Sequence, residues 1–168
     1  MTDLRDFITE YPDFPRPGVL FRDIGPLIRS QLPATLTALS SLLAAGEWAG
    51  IDAIGVIDAR GFVLGAGLAA RFDKGVVMIR KAGKLPPPVH RHAYSLEYGE
   101  SVLEVKPGTG RLLLVDDVLA TGGTLRAAAA LVTEAGFELY GAIVLADLGL
   151  VEPLTLGGRP VRSVLHYG

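Results

Sequence analysis

One stretch, residues 111–124, limits most strongly what this chain can become. Arg-Leu-Leu-Leu-Val-Asp-Asp-Val-Leu-Ala-Thr-Gly-Gly-Thr passes from an apolar run through two acids to a turn of small, hydroxyl-bearing and glycine residues. Residues 112–115 are apolar on both faces, as a buried parallel strand requires, and residues 124–132 read as a helix. Strand, turn and helix in that order bring the backbone N–H groups of Gly122 and Gly123, the hydroxyls of Thr121 and Thr124 and a helix N-terminus around one point, a cradle for an anion. Asp116 and Asp117 would repel that anion if they faced it, yet at a strand end they can accept hydrogen bonds from neighbouring hydroxyls. A sugar phosphate meets both demands. Acids that merely cap a loop beside glycines that merely turn it would leave the joint occurrence of these features unexplained. A Walker P-loop is excluded, because Gly-x-x-x-x-Gly-Lys-Ser/Thr occurs nowhere in the chain.

With 168 residues and 49% hydrophobic content, one domain over residues 1–168 with a substantial core is expected. Cysteine is absent, which excludes a disulfide framework, a thiolate zinc site and a cysteine nucleophile, and suits a cytoplasmic protein. No basic segment followed by an apolar stretch opens the sequence and no apolar run reaches membrane-spanning length, so neither export nor a membrane is expected. A formal charge of −2 gives no global attraction to nucleic acid; a polyanionic ligand must be met by local cations.

In chain order, residues 2–10 read as a short helix, followed by a proline-punctuated stretch that keeps Phe14, Leu20 and Phe21 close together. That stretch is either a covering loop or a hood over a flat, apolar ligand, with Phe21 available to stack. Residues 33–46 read as a packing helix and residues 54–57 as a strand whose end carries Asp58-Ala59-Arg60-Gly61, where Arg60 either makes a surface salt bridge or, the stronger reading, binds an anion. Gly65-Ala66-Gly67-Leu68-Ala69-Ala70 matches the dinucleotide fingerprint in letters only; it falls inside the following helix, where close packing explains it better. After a strand at residues 76–79, residues 80–92 contain several cations, three consecutive prolines and no acid. They read as a long loop, either a solvated charge run or a mobile lid that meets a second anionic group. Order returns at Tyr94-Ser95-Leu96-Glu97-Tyr98-Gly99, and further strands are expected at residues 101–105, 139–146 and 161–166. The alternation predicts an α/β fold with a mainly parallel central sheet flanked by helices.

Val115-Asp116-Asp117-Val118-Leu119-Ala120-Thr121-Gly122-Gly123-Thr124 resembles the phosphoribosyl pyrophosphate (PRPP) motif of type I phosphoribosyltransferases. Asp13-Phe14-Pro15 with Pro17 to Ile24 is similar to the adenine hood of the adenine phosphoribosyltransferase family, and Asp58-Ala59-Arg60-Gly61-Phe62 to its pyrophosphate loop. Arg80-Lys81-Ala82-Gly83-Lys84-Leu85-Pro86 and Tyr94 to Gly99 resemble the two ends of that family's flexible catalytic loop. The likeness runs from about residue 13 to residue 134. Beyond it, Ala146-Asp147-Leu148 and Gly157-Gly158-Arg159-Pro160 depart from the usual Glu-Leu and Gly-Arg-x-Lys strings, with residues 151–156 lengthened.

The resemblance implies a hood over residues 11–30, a lid over residues 81–98, and purine salvage in which adenine and PRPP give AMP and pyrophosphate. It implies Glu97, Arg60, Lys81 and Lys84 as catalytic residues. Asp116, Asp117, Ala120, Thr121, Gly122, Gly123, Thr124, Arg60 and Arg80 would bind PRPP or AMP, and Leu20, Phe21 and Arg22 adenine. Mg²⁺ would arrive with PRPP rather than in a protein cage, and a homodimer is the family expectation. A non-catalytic PRPP or nucleotide sensor on the same fold, or an enzyme for another purine base, stays open from sequence.

Overall fold

The structure, a computed structural model, describes residues 3–96 and 99–168. Packing divides the chain after Ala38 into two units, described in turn. Asp3 accepts the Arg5 N–H to start a single 3₁₀ turn, Leu4–Phe7, after which the chain extends into strand β1, Thr9–Pro12. The helix expected over residues 2–10 is therefore one turn only; so short a helix is marginal in water, and the β-branched Ile8 and Thr9 favour extension. β1 pairs antiparallel with β2, Leu20–Asp23, matching Tyr11 to Phe21. In the connection, Asp13 accepts the Gly18 N–H at 2.7 Å and Val19 accepts that of Phe14 at 3.2 Å, which ties off a turn that its prolines keep out of regular structure.

Helix α1, Gly25–Ser40, starts with the Gly25 N–H on Asp23 Oδ1 at 2.8 Å and breaks its helical dihedrals at Gln31, two residues before Pro33. It thus begins earlier and ends sooner than the expected residues 33–46: the Asp23 cap starts it ahead of Pro33, and the proline, which removes an N–H and disfavours helical backbone before it, accounts for the break rather than the start.

In the second unit, α2 (Ala45–Ala49) leads to β3 (Ala53–Ile57), α3 (Arg60–Arg71) and β4 (Gly75–Lys81). β5 (His90–Leu96), β6 (Gly99–Val105), β7 (Arg111–Leu119) and α4 (Gly123–Glu134) follow. The chain closes with β8 (Glu138–Asp147), the short pair β9 (Thr155–Leu156) and β10 (Arg159–Pro160), and β11 (Arg162–His166). One seven-stranded sheet has the order β11-β8-β7-β3-β4-β6-β5, parallel from β11 to β4 and antiparallel at β6 and β5. The α/β class with a mostly parallel sheet is as expected. On one face, Leu125, Ala128, Leu131 and Val132 of α4 pack with Ile57, Ile79, Leu112 and Leu114. On the other, a Cβ at Gly65 of α3 would collide with Val56, so this glycine inside the helix serves close packing.

Residues 90–92, the end of the expected loop, open strand β5, which pairs with β6 from His90 opposite Val105 to Leu96 opposite Gly99. The loop reading counted prolines and cations within one window, whereas the pairing partner lies beyond it; Tyr94 also packs against the core cluster. The departing C-terminal segment turns at Gly157 and Gly158, and Arg159 sets its guanidinium 4.1 Å over the Tyr140 ring while donating to the Tyr140 carbonyl at 3.0 Å. Among the described residues no helix is long and apolar enough to cross a membrane.

Candidate active site

From the middle of the sheet, the chain adds β4 beyond β3 in one direction and β8 and β11 beyond β7 in the other, so β3 and β7 flank the point where strand order reverses. Ligands of open α/β sheets bind at the carboxyl ends of such strands. β7 is longer than the expected residues 112–115 and carries its acids inside the strand. Its pairing with β3 stops at Val115, while its pairing with β8 continues to Leu119 opposite Asp147. Asp116 and Asp117 thus sit where β7 has lost one neighbour, which opens a crevice beside them.

That crevice is a cavity of about 420 Å³, and Asp58, Arg60, Lys81, Tyr94, Asp116 and Asp117 are among its walls. A second cavity of about 160 Å³ continues it along residues 118–125, sharing Leu96, Val118, Ala120 and Thr124. The two together bring Arg60, Lys81, Asp116, Asp117, Ala120, Thr121, Gly122, Gly123 and Thr124 to one place. Gly122 has φ +82° and is the N-cap of α4, so no cap side chain covers the first-turn N–H groups that point toward the smaller cavity. A side chain there would be strained by that φ and would press on Arg126 Nη1 at 2.8 Å, the group that donates to Thr121 O at 3.1 Å.

The acids are 7% and 6% exposed, and Asp116 Oδ1 accepts the Asp117 N–H at 2.9 Å. Burial, and then the charge of Asp117, push the Asp116 carboxyl well above the usual carboxylate range, against the opposing pull of Arg60. Arg60 Nε lies 2.7 Å from Asp117 Oδ2, an ion-pair contact whose geometry is not that of a hydrogen bond; among the described residues that buried oxygen accepts none. A buried oxygen on a cavity wall that is met by an ion pair and by no hydrogen bond among the described residues suits a hydroxyl donor supplied by a ligand.

Two expected site residues of the second unit, Arg80 and Lys84, lie off the walls of these cavities. Arg80 does not line the cavity; its Nε is 3.5 Å from Asp58 Oδ2 and its guanidinium 5.7 Å from the Phe62 ring centre, so it bears on the site through Asp58. Lys84 does not line it either, and its backbone N–H is bound by Glu104. Arg91, a cation of the expected lid, is taken by the same Glu104 at 3.1 Å. Glu97 lies outside the described residues. Leu20, Phe21 and Arg22 share β2 in the first unit, where Phe21 meets Phe14 edge-on at 5.2 Å and Arg22 Nε donates to Glu10 Oε1 at 2.9 Å. Phe14 and Leu20 there are 53% and 42% exposed. Sequence reasoning missed Tyr94 and Ser101 as cavity walls and Glu104 as an anchor; the one available signal was an acid within the apolar Val102-Leu103-Glu104-Val105.

Among the described residues no three His, Cys, Asp or Glu side chains gather as a cage for a metal. Asp58, Asp116 and Asp117 are nevertheless hard oxygen donors on one cavity, which fits a Mg²⁺ that arrives on a diphosphate and keeps much of its water.

Residues 37–149 match the family model for the phosphoribosyl transferase domain. The chain is 42% identical over 165 residues to the adenine phosphoribosyltransferase of Hydrogenovibrio crunogenus, covering 98% of this chain and 96% of that one. Its fold is similar to the crystal structure of adenine phosphoribosyltransferase from Rhodothermus marinus, with a TM-score of 0.81 and 38% identity, covering 97% of this chain and 96% of that one. The enzyme of Saccharomyces cerevisiae, solved with adenine and an imino-altritol bisphosphate, has a TM-score of 0.83 and 30% identity, with 96% of each chain covered.

Proposed function

This chain belongs to the adenine phosphoribosyltransferase family, and from that premise we propose how its own residues carry the family's reaction. The protein is a pentosyl-transferring enzyme of purine salvage: it moves the 5-phosphoribosyl group of PRPP to adenine, giving AMP and pyrophosphate. A sensor without catalysis is not favoured, because relatives matched over nearly their whole length carry the enzyme's name.

The observation that carries the residue-level reading is the crevice at the β3–β7 reversal, with a buried acid pair on one wall and a glycine-capped helix N-terminus at its end. The 5′-phosphate is assigned to residues 120–124 and the ribose hydroxyls to Asp116 and Asp117, whose orphaned oxygen gains a donor there. The C1–O bond to diphosphate breaks as the bond to adenine N9 forms, and the electron pair leaves with the diphosphate. Arg60, Lys81 and Lys84 stabilise the charge that develops on that leaving group. The proton lost from adenine N9 passes to Glu97. Phe21 stacks on adenine, with the backbone of Leu20 and Arg22 reading its edge. Mg²⁺ would be carried by PRPP rather than by a protein cage, with Asp58 the acid on the cavity wall left to meet its water shell, and would supply further neutralisation of the diphosphate.

A cytoplasmic homodimer belongs to the same proposal. Absence of cysteine suits a reducing compartment. Val63, Val76 and Met78 support the dimer: they are 42%, 43% and 47% exposed, and the parallel register turns Val76 and Met78 to the α3 side of the sheet, where Val63 stands. The decisive test is a nucleobase panel with PRPP and Mg²⁺, following pyrophosphate release. Adenine alone should be turned over rapidly, and release with a 6-oxopurine equal to that with adenine would overturn the base assignment.

A further inference from the structure

We propose that Glu104 is a positioning residue for phosphoribosyl transfer: its buried carboxylate gathers the turn at residues 83–85 and so sets Lys81 and Lys84 for the leaving diphosphate. The inference rests on the role given above to those two lysines.

Glu104 is 0% exposed, although it stands on a strand that otherwise supplies apolar side chains to the core. A buried carboxylate is tolerated only when its oxygens are filled. Here Oε1 accepts the N–H groups of Lys84 and Leu85, each at 2.6 Å, and Oε2 accepts Arg91 Nε at 3.1 Å. Gly83 makes this possible. Its φ of +85° curls successive N–H groups around one oxygen, and since a Cβ there would meet nothing within 4 Å, glycine is needed for the backbone and not for space. Burial opposes ionisation of Glu104, but the N–H groups of Gly83, Leu85 and Lys84 and the Arg91 guanidinium outweigh it and hold the carboxyl down at about 2. The anchor is therefore charged throughout the working pH range.

The anchor is also in the right place. β4 meets β6 at only two positions, Arg80 opposite Glu104 and Lys81 opposite Leu103, and Lys81 and Leu103 are both walls of the cavity. On the other side of β6, Arg91 of β5 is opposite Glu104. The carboxylate thus fastens the turn that follows β4 to the neighbouring strand β5, beside the short stretch where β4 is paired with β6. It also absorbs the charge of Arg91, while among the described residues Lys81 and Lys84 have no carboxylate partner and keep their charge for a ligand.

The test compares wild type, Glu104→Gln, Gly83→Ala and Lys81→Met in steady-state kinetics with PRPP and adenine, alongside thermal unfolding and amide exchange at Lys84 and Leu85. Glutamine keeps the size but turns an amide toward Arg91, so Glu104→Gln should raise KM for PRPP about tenfold or more, since small misplacements of charge-positioning groups are costly. KM for adenine should stay within about twofold, and the Lys84 and Leu85 amides should exchange faster, because their acceptor is weakened. Glu104→Gln that melts earlier yet keeps its KM for PRPP has lost stability only, and overturns the proposal. Should that variant not fold, Gly83→Ala disturbs the same turn from the other side and must show the same PRPP-selective change; an unchanged KM there overturns it equally. Lys81→Met separates this inference from the reading beneath it. If Lys81→Met raises KM for PRPP and Glu104→Gln does not, the positioning role alone fails; if neither does, the assignment of the lysines fails and takes the proposal with it.

Discussion

Replacing Arg60 by methionine should be felt in the unliganded protein before any substrate is added, because Arg60 Nε sits 2.7 Å from a buried oxygen of Asp117. Two unit charges at that separation attract by roughly 6 kcal/mol at an effective dielectric constant of about 20. That figure is a ceiling, since the Arg60 side chain is 40% exposed although that of Asp117 is only 9% exposed. Solvent screening of the cation reduces the expected loss to about 1–3 kcal/mol, with each kcal/mol lowering Tm by roughly 2–4 °C in a chain of this size. Asp117→Asn removes the charge that needs the guanidinium, so it should cost less, and the double variant should be little worse than Asp117→Asn alone. Urea unfolding of the four proteins measures the coupling directly. A coupling below about 0.5 kcal/mol, with the two effects simply adding, would refute the argument that Arg60 compensates a buried charge. Turnover should not follow stability: with the cation gone from the diphosphate, kcat should stay down about 10²–10³-fold in Arg60→Met and in the double variant alike.

Asp116→Asn should move stability and affinity in opposite directions. Its carboxyl is raised by burial and by the Asp117 charge, so ionising it costs stability as pH climbs above the unfolded carboxylate range. The amide should therefore raise Tm more at pH 7 than at pH 4, while calorimetry shows PRPP bound about tenfold to hundredfold more weakly; an unchanged affinity would remove the ribose assignment. Glu97→Gln should lower kcat by about 10²–10⁴ with little change in substrate affinity, and a loss under about threefold with chemistry rate-limiting would give the proton to another group. Glu47, held at about 2 first by its hydrogen bonds from Arg162 and aided by those from the Ala44 N–H and the Tyr140 hydroxyl, has a depressed folded-state pKa. Its stabilisation is full above about 4.5 and fades as pH falls toward 2, so Glu47→Gln should flatten acid unfolding in that window; identical acid profiles would show that this link contributes nothing.

The centre of the molecule was legible because its signals are local. An apolar strand, two acids, a glycine turn and a helix follow one another within residues 111–124, and the structure builds strand β7, the crevice and α4 from them in that order. What the local pattern could not give was the length of β7. Asp116 and Asp117 look like the end of the strand, and they lie inside it because β8 continues to pair with β7 after β3 has stopped. The same offset opens the crevice, since a β3 that ran on beside residues 116–119 would fill the space beside the two acids, where the ribose is proposed to bind. Gln31 shows the converse: Pro33 announced a helix start, but the residues before it already had the capped entry at Asp23, so the proline became a break inside one helix.

The end of the cation-rich segment, residues 90–92, is strand for a reason that concerns charge. Counted along the chain, residues 80–92 hold only cations, and mutual repulsion argues for an open loop. Counted in space, an acid from β6 lies among them, twenty residues from Lys84 and thirteen from Arg91. Antiparallel pairing of β5 with β6 places that acid opposite Arg91, and the curl at Gly83 folds the turn onto it. A window of sequence contains the cations but not their counter-ion, so its net charge overstates the repulsion and misses the strand that begins at His90. The cations that remain without a carboxylate partner among the described residues, Lys81 and Lys84, are the ones that the strand pairing has not neutralised. A diphosphate entering the cavity beside Lys81 would meet charge that the fold left unspent, on a backbone already anchored by the pair that it did neutralise.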